Sequence, residues 1–282
     1  MTQFTDGRIT AGAASVRWRK TGQGPVLVFL HGFPLSGETW DKVIARLSDR
    51  FTCITLDLIG LGGSTSTSAE DFSSPGQARA MKDALTQLGV STYGLIGNDT
   101  GGWIARELAL IDGARVARLM LTNTEIPHHR PPWIPLYQTL AHWPGVGTGF
   151  RLTLRSRAYR RSPMAFGGCF HDLTLLDGGF HARFVAPLIA APARIEGAMQ
   201  FLRQMKFTRL DEFARLHGEL KMPVMFVWGA DDPTFPCDRA HAMIAQFPHV
   251  AGFHEVARAK LLVYDEKPDE VADQVAQFNA AG

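Results

Sequence analysis

An aspartate between closely spaced glycines is the part of this sequence with the clearest chemical potential. Residues 93–110 read YGLIGNDTGGWIARELAL, where an apolar run leads into Gly97 and Gly101 and then into apolar residues at helical spacing. This pattern predicts a strand, a sharp turn and a helix, with Asp99 exposed at the turn. A carboxylate is ionised at pH 7 without help, so Asp99 can attack an epoxide carbon or a halogen-bearing carbon and form an ester.

With aspartate in place of serine, this stretch resembles the G-x-S-x-G nucleophile elbow of α/β hydrolases. The branch of the superfamily that it resembles uses an aspartate nucleophile and contains haloalkane and haloacetate dehalogenases and epoxide hydrolases. Attack by Asp99 on a carboxylic ester would give an anhydride, so esterase activity is the less natural interpretation. The alternative is that Asp99 only caps the helix, because aspartate is a favoured N-cap residue.

A second motif agrees with this resemblance. The apolar run Pro25–Leu30 ends in the sequence HGFP at 31–34. In the family, this loop contributes a backbone N–H to an oxyanion or halide pocket, here that of Phe33, and the residue after the nucleophile, here Thr100, contributes another. His31 is expected to hold the loop rather than to take part in the chemistry.

A third motif supplies the acid. The run Met222–Trp228 predicts a buried strand, and GADDP follows it. The family's acid lies on this loop in a G-x-x-D-x-x-x-P frame, which selects Asp232 and leaves Asp231 as the neighbouring alternative. The order of nucleophile and acid along the chain is that of the superfamily.

The base is where the sequence departs from the family. The position that matches the family's histidine, after the last strand, holds Lys260, and the nearby His254 lies within that strand. A free lysine has a pKa of about 10.4, and the carboxylates of Asp99 and Asp232 would keep it protonated. We therefore expect Lys260 to form an ion pair with one or both, and we expect hydrolysis of an ester on Asp99 to be impaired.

Three hypotheses follow for the whole protein. The first is an Asp-nucleophile hydrolase acting on a carbon–halogen bond or an epoxide, altered at its base. The second is a non-hydrolytic enzyme of the same fold, a lyase or cyclase, that uses Lys260 as an acid, an anchor or a Schiff-base amine. The third is a ligand-binding protein without turnover.

The elements that must position these residues alternate along the chain. Residues 8–20 predict an edge hairpin, and later strands alternate with helices, which indicates an α/β fold with a mainly parallel, twisted sheet flanked by helices. The resemblance implies the α/β-hydrolase fold, with a core formed by residues 1–123 and 206–282 and an inserted helical cap at 124–205. Aromatic and histidine side chains are the candidates to line the substrate pocket: Trp103, His128, Trp133, Tyr137 and Trp143.

The motifs determine the substrate less clearly than they determine the fold. Haloalkane dehalogenases usually place a tryptophan directly after the nucleophile, and haloacetate dehalogenases place arginines near it. Here Thr100 follows Asp99, and Trp103 lies one helical turn further on. Neither subfamily fits cleanly, and we expect a neutral or apolar substrate.

Composition excludes several other classes. The 29 Lys and Arg residues nearly balance 27 Asp and Glu, which gives no electrostatic case for a nucleic-acid partner. Neither a dinucleotide fingerprint nor a metal-ligand spacing is present, so no cofactor or metal is expected. Three scattered cysteines, and the lack of a signal peptide or membrane span, favour a cytoplasmic protein with a small-molecule substrate.

Overall fold

One sheet of nine strands organises the molecule in the computed structural model, which describes residues 3–66 and 70–280. The strands are β1 (Thr5–Ala11), β2 (Ala14–Thr21), β3 (Val26–Leu30), β4 (Thr52–Leu56), β5 (Thr65–Ser66), β6 (Tyr93–Asn98), β7 (Val116–Thr122), β8 (Val224–Gly229) and β9 (Val250–Val256). Their order across the sheet is β1-β2-β4-β3-β6-β7-β8-β9, with β5 paired to β2. The expected hairpin is confirmed, since β1 and β2 pair antiparallel.

The sheet is parallel from β4 to β9. Strand β3 pairs in parallel with β4 and β6, and parallel pairing continues through β7 and β8 to β9. Every residue of β4 and β6 is buried, as expected for strands that helices cover on both faces. The mainly parallel α/β fold predicted from the sequence is therefore confirmed. The carboxyl ends of these strands meet along one edge, where such sheets place their ligand sites.

The helices flank the sheet and fill the segment between β7 and β8. Short 3₁₀ segments and a π-helical stretch at Leu176–Val185 supplement them. The α-helices are α1 (Asp41–Leu47), α2 (Ser74–Gln87), α3 (Thr100–Ile111), α4 (Trp133–Ala141), α5 (Val146–Thr153), α6 (Arg157–Arg160), α7 (Leu173–Leu175), α8 (Ala186–Ala190), α9 (Pro192–Gln204), α10 (Phe207–Leu216), α11 (Cys237–Ile244), α12 (Val263–Glu266) and α13 (Pro268–Ala280).

The segment between β7 and β8 is helical wherever it is ordered into secondary structure, and it packs onto the loops of the sheet. Helix α9 packs against α4 and α5. It also approaches the loop after β4 so closely that a Cβ atom on Gly197 would lie 2.1 Å from the carbonyl oxygen of Gly60. The segment therefore covers the carboxyl edge of the sheet. The exact boundaries of a separate cap domain stay a prediction.

Aromatic packing fixes the loop after β9 to the body of the fold. The indole of Trp40 stacks on the ring of Tyr264 with centroids 4.1 Å apart, and both side chains are fully buried. The Tyr264 hydroxyl lies 3.1 Å from that of Thr39. These contacts anchor α12, and with it the chain that carries Lys260 and Leu261. Within the described residues, no helix has the length and apolar character needed to cross a membrane.

Candidate active site

Asp99 occupies the sharp turn that the glycine spacing predicts. Its backbone has φ 49° and ψ −134°, a conformation that residues other than glycine rarely adopt. The turn requires small neighbours, since a Cβ atom on Gly97 would lie 2.5 Å from the Gly101 carbonyl oxygen and one on Gly101 would lie 2.4 Å from the His31 carbonyl oxygen. No side-chain cap hydrogen bond from Asp99 to α3 is formed. The carboxylate is therefore free of the capping role that was the alternative interpretation.

Backbone donors hold the Asp99 carboxylate. The N–H of Phe33 donates to its Oδ2 atom over 2.8 Å, and the N–H of Thr100 is a second group that favours the charged carboxylate. These are the two groups that the sequence assigns to an oxyanion or halide pocket. Burial and the neighbouring Glu125 carboxylate raise the pKa of Asp99 well above its ordinary value, while the two N–H groups oppose this rise.

Asp232 lies at the same edge of the sheet but is fully engaged by uncharged groups. Its Oδ2 atom accepts a 2.8 Å hydrogen bond from the side-chain amide of Asn123, and its Oδ1 atom accepts one of 2.8 Å from the Thr234 N–H. Burial raises the pKa of Asp232 to about 7. Its neighbour Asp231 points to the surface instead and pairs with His171, whose Nδ1 atom lies 3.0 Å from the carboxylate.

The ion pair expected for Lys260 is not formed. Among the described residues, no carboxylate oxygen lies within 4.0 Å of the Lys260 Nζ atom, and the residue is absent from the walls of the cavity that opens onto Asp99. Its backbone N–H donates to the Glu266 carboxylate over 2.8 Å. The predicted ion pair is therefore wrong at this distance. The residue of this loop that lines the cavity is the next one, Leu261, whose carbonyl accepts a 2.9 Å hydrogen bond from the Asn98 amide.

Glu125 is the residue of this site that the sequence analysis missed. It follows β7 closely, is only 6% exposed, and lines the same cavity as Asp99. The Thr124 hydroxyl lies 2.9 Å from its Oε2 atom, and the guanidinium of Arg106 donates to its backbone carbonyl over 2.8 Å. Burial raises the pKa of Glu125, while Arg106 and the hydroxyl donors, among them Thr100, oppose the rise.

A predominantly apolar cavity of about 390 Å³ opens onto Asp99. Of the predicted pocket residues, Trp103, Trp133 and Tyr137 line it, together with His129 and Glu125. No lysine or arginine of the described chain contributes to its walls. Further apolar walls come from both sides of the cavity: Phe33, Ile134, Phe150, Phe166, Met199, Phe201, Phe207 and Leu261.

Two predicted pocket residues lie elsewhere. The Trp143 side chain is on the surface, with 62% of the residue exposed, and His128 is an exposed residue whose Nδ1 atom lies 3.4 Å from the Asp211 carboxylate. The sequence pattern could not assign these residues correctly, because it does not determine which face of each short helix or turn in this segment points inward.

Three histidines of the described residues make structural contacts. The buried His31 accepts the Leu58 N–H at Nε2 over 3.0 Å and donates from Nδ1 to the Gly32 carbonyl, as expected for a residue that holds its loop. His254 pairs with Glu270 across 2.7 Å, away from the cavity lining. His129 does line the cavity, but its Nε2 atom lies 2.8 Å from the Thr234 carbonyl oxygen and is thus a donor to it.

Comparison with known proteins agrees with this architecture. Residues 25–156 match the sequence model of the alpha/beta hydrolase fold family. An uncharacterized protein of Mycobacterium tuberculosis is 35% identical over an alignment 237 residues long that covers 82% of this chain and 68% of that protein. The chain therefore belongs to the α/β-hydrolase family.

Two named proteins are also similar to the chain. Haloalkane dehalogenase 2 of Mycobacterium tuberculosis is 26% identical over an alignment 276 residues long that covers 91% of this chain and 88% of the relative. The solved structure of the epoxide hydrolase CorEH superposes with a TM-score of 0.83 at 23% identity and covers 99% of each chain. At that identity, the structural likeness supports the fold alone.

Proposed function

We propose that this protein is a hydrolase that opens an epoxide or a carbon–halogen bond through an ester on Asp99. The observation that carries the proposal is a carboxylate, rather than a hydroxyl, at the elbow, with its Oδ2 atom bound by the Phe33 N–H. That contact leaves Oδ1 as the nucleophilic atom. The likeness to a named haloalkane dehalogenase supports the same chemistry.

The backbone donors suit both halves of such a reaction. In the first half, Oδ1 of Asp99 attacks carbon and becomes the ester oxygen, so that Oδ2 becomes the carbonyl oxygen. In the second half, water attacks the ester carbon and negative charge develops on Oδ2. The N–H of Phe33 already donates to Oδ2 and stabilises this charge without rearrangement, and the N–H of Thr100 also favours negative charge on this carboxylate.

The cavity walls favour a neutral, apolar substrate. Because no cationic side chain of the described residues lines the cavity, the carboxylate of a haloacid would be placed near Asp99 and Glu125 without a counter-charge. The indole N–H of Trp103, one turn past the nucleophile, is buried and has no hydrogen-bond acceptor among the described residues. It is a candidate donor to a departing halide.

Lys260 is not the base in this proposal. An ammonium group holds its proton at pH 7 and cannot accept one from water, which is why we infer slower ester hydrolysis than a histidine would give. A lyase or cyclase that used Lys260 as a Schiff-base amine would need that amine in the cavity, and its absence from the cavity walls lends this alternative little support.

Single-turnover labelling tests the nucleophile. The enzyme in excess is incubated in H₂¹⁸O with styrene oxide, 1-bromohexane or bromoacetate, and intact-protein mass spectrometry follows the adduct. We expect a transient adduct on the peptide containing Asp99, followed by ¹⁸O in Asp99 and ¹⁶O in the first product molecules. We expect no adduct with bromoacetate or in Asp99→Asn. Direct incorporation of ¹⁸O into the first product would contradict the proposal, and a stable adduct without product would identify a protein arrested at the ester.

A further inference from the structure

Thr124 links the two carboxylic acids that line the cavity. Its hydroxyl oxygen lies 2.8 Å from the backbone carbonyl oxygen of Asp99 and 2.9 Å from Oε2 of Glu125. A hydroxyl has one hydrogen, so Thr124 can donate to only one of these acceptors at a time. The Arg106 guanidinium donates to the same oxygen over 3.2 Å.

This geometry accommodates Glu125 in two protonation states. With Glu125 protonated, its O–H donates to the Thr124 oxygen and Thr124 donates to the Asp99 carbonyl. With Glu125 ionised, the Thr124 hydrogen turns to Oε2. The Asp99 carbonyl is not left unpaired in the second state, since the N–H of Gly102 also donates to it over 2.8 Å. Neither state therefore leaves a buried polar group without a partner.

The charges of the site link the proton on Glu125 to the state of Asp99. Both carboxyls face one apolar cavity, and the ionised form of each is disfavoured by the other. The backbone N–H groups of Phe33 and Thr100 stabilise the charge on Asp99. Ester formation turns Asp99 into a neutral group, which removes the repulsion and allows Glu125 to ionise beside Arg106.

We propose that Glu125 is the catalytic acid and base of this enzyme. Because an epoxide needs a proton as its ring opens, this role makes epoxides the substrate class that matches the site. The inference rests on the proposed function, since it requires the ester on Asp99. Glu125 then carries out the proton transfers that the missing histidine would otherwise perform.

The atoms balance for an epoxide. As Oδ1 of Asp99 bonds to a ring carbon, the carbon–oxygen bond breaks and its electron pair stays on oxygen, which takes the proton of Glu125. Ionised Glu125 then takes a proton from water while the hydroxide bonds to the ester carbon. Collapse breaks the bond from that carbon to the ester oxygen, the former Oδ1 of Asp99, which takes a proton from Glu125 and leaves with the product. The remaining water proton on Asp99 passes to Glu125, so the diol leaves and the starting state returns.

A haloalkane uses the same residues with a different proton balance. Halide departs without a proton, so the first step does not require protonated Glu125. The second step requires it ionised, and the enzyme must first release its proton to solvent. The products are an alcohol, a halide ion and a proton. Glu125 is therefore needed in both steps for an epoxide and in only the second step for a haloalkane.

The tyrosine and histidine donors in the cavity are already engaged. The Tyr137 hydroxyl lies against the Met164 carbonyl and 3.0 Å from the hydroxyl of Tyr159. Its single hydrogen goes to the carbonyl, so Tyr159 donates to Tyr137 and neither hydrogen remains for the substrate. The Nε2 hydrogen of His129 goes to the Thr234 carbonyl. These contacts leave Glu125 as the acid.

The test separates the two chemical steps in wild type, Glu125→Gln and Glu125→Asp, with Glu270→Gln, which lies outside the cavity lining, as the matched control. We expect Glu125→Gln to slow ester formation from styrene oxide by about 10² to 10⁴-fold, as for loss of a general acid, and to leave ester formation from 1-bromohexane within threefold of wild type. Its ester from 1-bromohexane should accumulate. Glu125→Asp should recover at least tenfold of the lost rate, and Glu270→Gln should stay within threefold of wild type.

The outcomes distinguish the two proposals. If Glu125→Gln turns over styrene oxide at a rate within threefold of wild type, the proposed role of Glu125 is overturned, and the assignment of Asp99 as the nucleophile is unaffected. Equal losses of ester formation from both substrates, with a lowered melting temperature, indicate a structural role and also overturn it. If wild type forms no ester on Asp99 with either substrate, the proposed function itself fails, and the role of Glu125 fails with it.

Discussion

The side-chain amide of Asn123 donates a 2.8 Å hydrogen bond to Oδ2 of Asp232, the carboxylate that the sequence assigns to orienting a base. The same side chain accepts the Gly229 N–H over 2.7 Å. Asn123 thus joins the end of β7 to the loop after β8, and it does so with φ 24°, in the left-handed region that asparagine tolerates better than most residues. Together with the Thr234 N–H, which donates to Oδ1, Asn123 holds both carboxylate oxygens of Asp232.

Replacement of Lys260 by methionine should change little. Methionine keeps the length of the side chain and removes its charge, and no described carboxylate lies within 4.0 Å of Nζ to be left unpaired. We expect kcat for styrene oxide within threefold of wild type. Steady-state kinetics measures this, and borohydride reduction in the presence of an aldehyde checks for a Schiff base. A loss of more than tenfold would place the amine in the chemistry and favour the lyase or cyclase hypothesis.

Lys260→His tests the same point from the opposite direction. An imidazole at this position would lack the carboxylate that must orient it, because Asn123 and Thr234 already occupy both oxygens of Asp232. We therefore expect Lys260→His alone to raise the rate of ester hydrolysis by less than tenfold. Single-turnover decay of the 1-bromohexane ester is the measurement. A larger gain would show that the loop rearranges and that only the base was missing.

Local sequence determines the elbow, which is why it could be predicted. Its turn depends on Gly97 and Gly101 within a few residues of Asp99, and the strand before it is a continuous apolar run. The parallel sheet follows from similar runs that alternate with helices. These features need no knowledge of distant contacts.

The rest of the site depends on tertiary contacts that spacing does not determine. The loop that carries Lys260 is held by the stacking of Tyr264 on Trp40 and by the Asn98 contact to Leu261. Glu125 does carry a usable signal, because it lies just after β7 and the carboxyl ends of parallel strands share one edge. The predicted cap boundary at residue 124 places Glu125 in the cap rather than at the edge of the sheet, and for that reason Glu125 is not among the predicted site residues.

Two tryptophans on the helical segment provide a matched pair for the substrate pocket. Trp133 lines the cavity and Trp143 is on the surface. We expect Trp133→Ala to raise KM for an apolar epoxide roughly tenfold, equivalent to about 1.4 kcal/mol, and Trp143→Ala to leave KM unchanged. Initial-rate kinetics over a range of styrene oxide concentrations measures both. Equal effects of the two substitutions would place the substrate elsewhere.

Asp232 should make the protein less stable as pH rises. Burial raises its pKa to about 7 in the folded protein, from 3.8 when unperturbed, so the unfolded chain loses this proton first. Its contribution to stability is present in full below the unfolded pKa and is lost as pH rises through the folded value. Between the two pKa values, the free energy of unfolding falls by about 1.4 kcal/mol for each pH unit.

Asp232→Asn isolates this contribution from those of Asp99 and Glu125, whose pKa values are also raised. The free energy of unfolding is measured by urea denaturation at pH 5 and pH 8. We expect the decrease from pH 5 to pH 8 to be smaller in Asp232→Asn than in wild type, by at least about 1.4 kcal/mol. Identical decreases in the two proteins would mean that Asp232 is ionised throughout this range.

The Asp99 carboxylate should be required for activity and should lower the stability of the folded protein. Its carboxylate is held near two other buried acids, and its backbone is in a rarely populated conformation. Asp99→Asn keeps the size of the side chain and removes the charge. We expect it to abolish ester formation and turnover while raising the free energy of unfolding by about 1 to 2 kcal/mol.

Asp99→Ala is the companion variant for this prediction, because it removes both the charge and the contact to the Phe33 N–H. It should also be folded and inactive, since the glycines set the turn, but it should gain less stability than Asp99→Asn. Urea denaturation and mass spectrometry after exposure to styrene oxide measure both properties, with the intact mass confirming that the amide has not hydrolysed. Full activity in either variant would remove Asp99 from the mechanism, and loss of stability in Asp99→Asn would show that the charge stabilises the turn.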